Sequence, residues 1–321
     1  EAAEVAAAIA DVVEAAGSEA VLQPMADGGE GTLGALGGPN RTALVTGPLG
    51  DPVQAGWRLG RGRTAVIEMA QASGLALVGG AAGNDPLAAD TYGTGELIDA
   101  AVARGAQHII VAVGGSATTD GGWGAIQALQ PVQRLRGIDL VVACDVRTLF
   151  LDAAAVFGPQ KGASPAQVEL LRRRLERLAQ LYRDEWDVDV EQMIGSGAAG
   201  GLAGGLAALG ARLVPGFEVV ADAVQLYEQI ERADLVVTAE GFVDASSFDG
   251  KVVGGVVELA ADAGVPAISV AGDATADLAR STPIHTLVDV VGLRAAFDDT
   301  IGAITVTANV ALGPMLRDAH Q

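Results

Sequence analysis

Two glycine-rich stretches hold most of the side chains that could do chemistry. Residues 111–122 read VAVGGSATTDGG: an apolar run ends in Gly114-Gly115, and Ser116, Thr118, Thr119 and Asp120 follow before a second glycine pair. A strand that empties into small, hydroxyl-bearing residues ahead of a helix lets backbone N–H groups approach an anion, and the helix N-terminus adds the positive end of its dipole. The hydroxyls can donate hydrogen bonds, and Asp120 can hold a metal ion or accept a proton. The stretch is neither a Walker A loop nor a dinucleotide fingerprint. A strand-to-helix turn with a serine or aspartate N-cap accounts for the same residues. Residues 26–32, ADGGEGT, place Asp27 and Glu30 three apart around Gly28 and Gly29. That pair can face Mg²⁺, a substrate hydroxyl, or the dipole of the following helix.

Further polar groups stand at similar junctions. Asp145 closes an apolar run, the place where α/β proteins put chemistry, and Gln160 and Lys161 lie in FGPQKGA. Glu240, Asp244 and Lys251 follow another apolar run. Of 20 basic residues only two are lysine, Lys161 and Lys251, both in glycine-rich turns. A compact ammonium at each suggests a point charge aimed at a phosphate or carboxylate.

Composition narrows the function classes. The 321 residues are 50% hydrophobic but only 4% aromatic, so the core must be built from Ala, Val, Leu and Ile. A net charge of −20 argues against nucleic-acid and anionic-membrane partners. One cysteine and three scattered histidines offer neither a disulfide framework nor a zinc cluster. No unbroken apolar run is long enough for a membrane span, and no signal peptide is visible; a cytoplasmic protein is expected. The chain opens without methionine inside a helical pattern, which suggests a segment upstream.

These groups must be positioned by the elements between them. Helical periodicity is expected over 1–16, 91–104, 122–129, 165–186, 221–232, 255–263 and 300–311. Strands are expected over 20–25, 42–47, 53–59, 64–69, 108–113, 138–144, 233–238, 266–271 and 287–290. At least four apolar strands end in Gly or Asp and lead into helices, the pattern of a mostly parallel α/β domain with ligands at the strand carboxyl ends. The hairpin-rich 42–69 breaks this pattern and suggests a second, mixed lobe. The expected division is a Rossmann-like domain of 1–40, 85–128 and 225–321, and a smaller mixed α/β domain of 41–84 and 129–224.

In order along the chain stand PMADGGEGT (24–32), VTGPLGDPV (45–53), IEMAQASGL (67–75), TYGTGELI (91–98), VGGSATTDGG (113–122), ACDV (143–146), FGPQKGA (157–163), GARLVPGF (210–217) and TAEGFVD…GKVVGG (238–255). Together they resemble the bacterial glycerate kinase family, and the resemblance covers nearly the whole chain. It implies a two-lobe α/β kinase that converts D-glycerate and MgATP to phosphoglycerate, usually the 2-phosphate, and ADP. On that footing Gly114, Gly115, Ser116, Thr118 and Thr119 cradle phosphates. Asp27 and Asp120 serve Mg²⁺ or act as general base. Lys161 and Lys251 neutralise phosphate or carboxylate, and Glu240 and Asp244 line the same cleft. The base stays open among Asp27, Asp120, Asp145 and Glu240, and the oligomeric state stays open, a homodimer included. Two alternatives stand beside the kinase: a nucleotide- or metabolite-binding protein of the same fold with weakened catalysis, and a kinase of a related small hydroxy acid. The sequence departs from the family pattern in four places. It begins after the usual opening strand and Asp-x-Phe-Lys-Gly loop, it has a short connection at 130–137, it reads RTLFLD at 147–152 where the family has an Asn-Pro-Leu-rich turn, and it carries Phe242 in place of an arginine.

Overall fold

The apolar, β-branched runs of the central sequence form one six-stranded sheet. Its strands are β1 (Arg41–Thr46), β2 (Pro52–Leu59), β3 (Thr64–Glu68), β4 (His108–Ala112), β5 (Asp139–Ala143) and β6 (Arg212–Val214), in that spatial order. β1, β2 and β3 pair antiparallel, and β3 to β6 run parallel. The parallel strands are apolar on both faces because both are covered. Ile67, Ile109, Val111 and Val142 pack against Leu97, Ile98, Ala125, Leu202 and Leu206. On the other face Val66, Ile110, Val141 and Ala143 meet Leu33 and Val219. The crossover helices Tyr92–Ala103, Trp123–Ala128 and Leu202–Ala208 all lie on the first face. Right-handed crossovers between strands in sequential order require this. The loops after β3, β4 and β5 therefore emerge together at the carboxyl edge.

The helix Pro165–Trp186 starts on a Ser164–Gln167 capping box. It buries Leu171, Leu175, Ala179 and Tyr182 against Phe150, Ala153 and Ala154, so it shields the segment after β5 with a small core of its own.

This computed structural model describes residues 2–248, 251–275 and 282–318. Residues 26–220 form one compact unit; residues 1–25 and 221–321 form another. The second unit carries a parallel sheet of β7 (Val236–Val243), β8 (Ala267–Ala274) and β9 (Ile284–Thr286). Within it the helices Ala2–Ala15 and Thr300–Asp318 bury Ile9, Val12, Ile304 and Leu312 with Ile268 and Val270 of β8.

The α/β class, the mostly parallel sheet and the discontinuous second unit agree with the sequence. The division does not. Residues 85–128 belong with 41–84, because β4 is hydrogen-bonded between β3 and β5. Residues 26–40 join them through Leu33, which packs on Val66 and Ile110. The hairpin of 42–69 is no separate lobe but extends the parallel sheet, so the mixed sheet lies in the larger unit. Residues 20–25, expected as a strand, have no regular structure. The expected strand at 287–290 is the helix Leu287–Val291, started by Thr286, whose hydroxyl accepts from Asp289 N–H.

Gly95 lies where the helix Tyr92–Ala103 touches its neighbour. A Cβ there would sit 2.5 Å from Ala125 O and 2.8 Å from Ala125 Cα. Replacing Gly95 by alanine gains about 1 kcal/mol in helix propensity, but overpacking against backbone costs about 1–3 kcal/mol. Gly95→Ala is expected to lower stability by up to about 2 kcal/mol, read as a lower denaturant midpoint at unchanged slope.

Candidate active site

At the carboxyl edge of β3, β4 and β5, wholly within the 26–220 unit, lies a cavity of about 540 Å³. Its walls come from residues 27–30, 75–80, 113–116, 145–146, 157–160 and 198–199. Small residues dictate how these loops meet. Gly28 has φ +88°, and a Cβ on it would lie 2.9 Å from Ala143 O at the end of β5 and 2.8 Å from Gly216 Cα. A Cβ on Gly115, at φ +68°, would lie 1.8 Å from Glu30 Oε1. The loop of 27–30 is thus pressed against the ends of β4 and β5.

Backbone hydrogen bonds lock the arrangement. Val113 N–H donates to Gly28 O at 3.0 Å, Leu75 N–H to Gly115 O at 2.8 Å, and Ala117 N–H to Ser73 O at 2.9 Å. Among the described residues the N–H groups of Gly114, Gly115 and Ser116 donate to no protein acceptor. Successive unpaired N–H groups on a loop that follows a strand form a concavity for an anion. Among the described residues the same cavity is lined by the carboxylates Asp27, Glu30 and Asp145, by Gln160, and by no lysine or arginine. Asp27 Oδ1 accepts from Gly29 N–H at 3.3 Å.

Nine of the residues singled out in the sequence come together here: Asp27, Gly28, Gly29, Glu30, Gly114, Gly115, Ser116, Asp145 and Gln160. The others do not line this cavity. Asp120 accepts from Thr91 N–H at 3.0 Å, Thr91 Oγ1 at 2.8 Å, Gly122 N–H at 3.2 Å and Gly124 N–H at 3.0 Å. Its carboxylate ties together the N-terminal ends of the helices Tyr92–Ala103 and Trp123–Ala128. Thr118 and Thr119 are buried, with hydroxyls that meet no protein partner.

Lys161, read as a charge aimed at a ligand, is 2% exposed. Its Nζ donates to Thr118 O at 2.5 Å and lies 5.8 Å from the centroid of the Phe157 ring. Burial pushes its pKa down to about 7, against the opposing pull of Asp120. The ammonium is directed at the loop's own carbonyl.

Glu240, Asp244 and Lys251 lie in the other unit. Glu240 lines a separate, mostly apolar cavity of about 670 Å³. Asp244 N–H donates to Ser247 Oγ, and Asp244 Oδ1 accepts from Ser247 N–H, both at 3.2 Å. Lys251 immediately precedes the helix Val252–Ala263.

Three supporting residues carried no signal strong enough to single out. Asn84 Nδ2 donates to Ala117 O at 3.0 Å and to Lys161 O at 2.9 Å, clamping the two loops together. Thr91 receives Ala125 N–H on the hydroxyl that it gives to Asp120. Tyr182 O–H donates to Gly121 O at 2.9 Å, and burial raises its pKa. Each joins partners far apart in sequence.

The sequence profile of the glycerate kinase family matches residues 1–131 and 130–309, two stretches that meet at the short connection. The Glycerate 2-kinase of Escherichia coli K12 is 42% identical over 295 residues, covering 80% of this chain and 77% of that protein. The Glycerate kinase of Bacillus subtilis 168 is 40% identical over 291 residues, covering 79% and 76%. A crystal structure of a candidate glycerate kinase 2 from Salmonella typhimurium LT2 superposes with a TM-score of 0.82 at 36% identity, covering 100% of this chain and 96% of that one.

Two expectations follow from the buried groups. Asp120→Asn leaves donors unpaired at two helix ends and is expected to cost about 2–3 kcal/mol of stability. Intact stability with turnover lowered by orders of magnitude would instead make Asp120 a reacting group. For Lys161 the folded pKa of about 7 lies below the ordinary lysine value of 10.5. Between those values the unfolded chain binds the extra proton, so stability rises with pH, by up to about 1.4 kcal/mol per unit. Lys161→Met is expected to flatten this slope between pH 7 and 8 in urea denaturation, below the range in which Cys144, whose thiol burial pushes up to about 11, begins to contribute.

Proposed function

The chain belongs to the glycerate kinase family, and on that premise we propose that it transfers the γ-phosphoryl group of ATP to a hydroxyl of D-glycerate, with 2-phosphoglycerate the favoured product. The observation that carries the reading is a cavity lined by three carboxylates and by three successive residues whose N–H groups meet no acceptor among the described residues. Phosphoryl transfer asks chiefly for positioning and charge neutralisation: the N–H groups suit the first, and the carboxylates suit a neutralising cation.

Charge arithmetic calls for a metal ion. Two unit charges 4 Å apart interact by about 4 kcal/mol at the effective dielectric of a protein surface. ATP and glycerate are both anions, and among the described residues the cavity lining offers only carboxylates and neutral donors. Among the described residues no group of three Asp, Glu, His or Cys side chains could cage a metal by itself. Mg²⁺ suits such a setting, because it takes one or two carboxylates and completes its shell with water and phosphate oxygens. Asp27 and Glu30, on one loop beside the N–H cradle, would hold it there. When bound it neutralises the transferring phosphoryl group.

The chain's own groups do the rest. The N–H groups of Gly114, Gly115 and Ser116, with the Ser116 hydroxyl, hold the phosphates. Asp145 accepts the proton of the attacking hydroxyl. The hydroxyl oxygen forms a bond to the γ-phosphorus as the bond to the bridging oxygen breaks, and ADP leaves with that electron pair. Asp120, Lys161, Thr118 and Thr119 hold the loop from beneath. No helix among the described residues is long and apolar enough to cross a membrane; a cytoplasmic enzyme suits substrates of this kind.

³¹P NMR with MgATP and D-glycerate tests the reading. A growing phosphomonoester resonance, assigned by adding authentic 2- and 3-phosphoglycerate, is expected from the wild type, and a rate at least about 100-fold lower from Asp145→Asn. MgATP binding without product would favour the weakened binding protein, with Phe242, half exposed on β7, as the first residue to revert to arginine.

A further inference from the structure

Ala199 holds a backbone conformation that L-residues avoid. Its φ is +52°, and Gly200 and Gly201 continue at +67° and +92°. The two glycines have a steric reason for being glycine. A Cβ on Gly200 would lie 2.0 Å from Thr118 O, and one on Gly201 would lie 2.8 Å from Gly121 Cα. Gly121 N–H donates to Gly200 O at 3.0 Å and fixes that contact. Ala199 holds the same left-handed conformation but keeps its methyl group, so it bears a cost that the two glycines do not. Glycine there would relieve the contact between Cβ and the following carbonyl. Burying one methyl offsets less than a left-handed alanine costs. A strained residue that is retained points to a use for the group that causes the strain.

The independent observation is the cavity. Ala199 and Ala198 line it beside Val146, Phe157, Asp145 and Gln160, although Ala199 is only 6% exposed. This part of the wall follows β5, whereas the N–H cradle follows β4. It pairs a carboxylate and an amide with small apolar groups. That chemistry matches a short carbon skeleton bearing hydroxyls.

We infer that the Ala199 methyl is a specificity-determining group that limits the acceptor to a three-carbon hydroxy acid. The inference rests on the kinase reading above. A fourth carbon on the acceptor would need the volume that this methyl occupies. Discrimination by one methyl-sized group typically amounts to about 10–200-fold.

The test compares kcat/KM for D-glycerate and for 2,3-dihydroxybutanoate in the wild type, Ala199→Gly and Asp187→Gly. Asp187 also has positive φ, +58°, but caps an exposed helix end away from the cavity, so its variant controls for relief of strain alone. Ala199→Gly is expected to move the selectivity ratio at least about tenfold toward the four-carbon acid, with KM for ATP unchanged and the melting temperature equal or higher. Asp187→Gly is expected to leave the ratio alone. Ala199→Ser, which adds one oxygen to the same wall, is expected to move it the opposite way and serves should Ala199→Gly not fold. An unchanged ratio in both Ala199 variants overturns the inference, as does a change confined to KM for ATP, which would place the methyl against the nucleotide. A wild type that phosphorylates neither acid overturns the kinase reading and this inference with it. A wild type active on glycerate with an unmoved ratio overturns this inference alone.

Discussion

The site depends on backbone packed directly against backbone. Residues 27–30 touch the end of β5 at Ala143 O, the end of β4 through the bond from Val113 N–H to Gly28 O, and Gly216. At each contact a single added carbon would force the chains apart. The positions of Asp27 and Glu30 are therefore set by the approach of main chains, before their own side-chain interactions count. Because interiors are close-packed and yield little, such contacts hold a loop more firmly than a few surface hydrogen bonds can. The cross-links from Leu75 to Gly115 and from Ala117 to Ser73 extend the hold to the loop after β3.

That constraint shapes the electrostatics. An acidic protein, with 40 acidic against 20 basic residues, presents carboxylates to the space where anions must bind. In the proposed reaction the neutral N–H cradle and a metal ion carried in with the nucleotide would supply what side chains do not. Lys161 contributes from behind, its ammonium against Thr118 O at the underside of the cradle loop. A charge in that low-dielectric position costs desolvation, as its lowered pKa records. In return the loop gains a hydrogen-bonded anchor that Asn84 reinforces by gripping both Ala117 O and Lys161 O.

Much of this was legible in the sequence, for local reasons. β4, β5 and β8 announce themselves as apolar runs closed by Gly or Asp. The helix Pro165–Trp186 matches its expected bounds because Ser164, Pro165 and Gln167 form a start signal that needs no tertiary help. The cavity residues were legible wherever a glycine-rich loop follows such a run. What failed were statements about pairing between distant segments. Nothing local says that β4 inserts between β3 and β5, so 85–128 was assigned to the wrong unit. Likewise 287–290, apolar and β-branched, reads as a strand until Thr286 is seen to cap a helix, because short apolar runs do not declare their period.

Asp120 and Lys161 show why residue type identifies chemistry more readily than it identifies the partner. A carboxylate among glycines and hydroxyls is suited to bind donors, and Asp120 does so with four of them. Two of the four come from Thr91, 29 positions upstream. From sequence, a carboxylate saturated by its own chain looks the same as one awaiting a metal ion. Lys161 is the cationic counterpart. Its rarity in an arginine-rich chain did mark a special position, but the demand it meets is that of a buried carbonyl, Thr118 O. The polar groups that a phosphate loop exposes to its ligand and those that hold it in shape are drawn from the same residue types. Only burial separates them, and burial is a property of the whole fold.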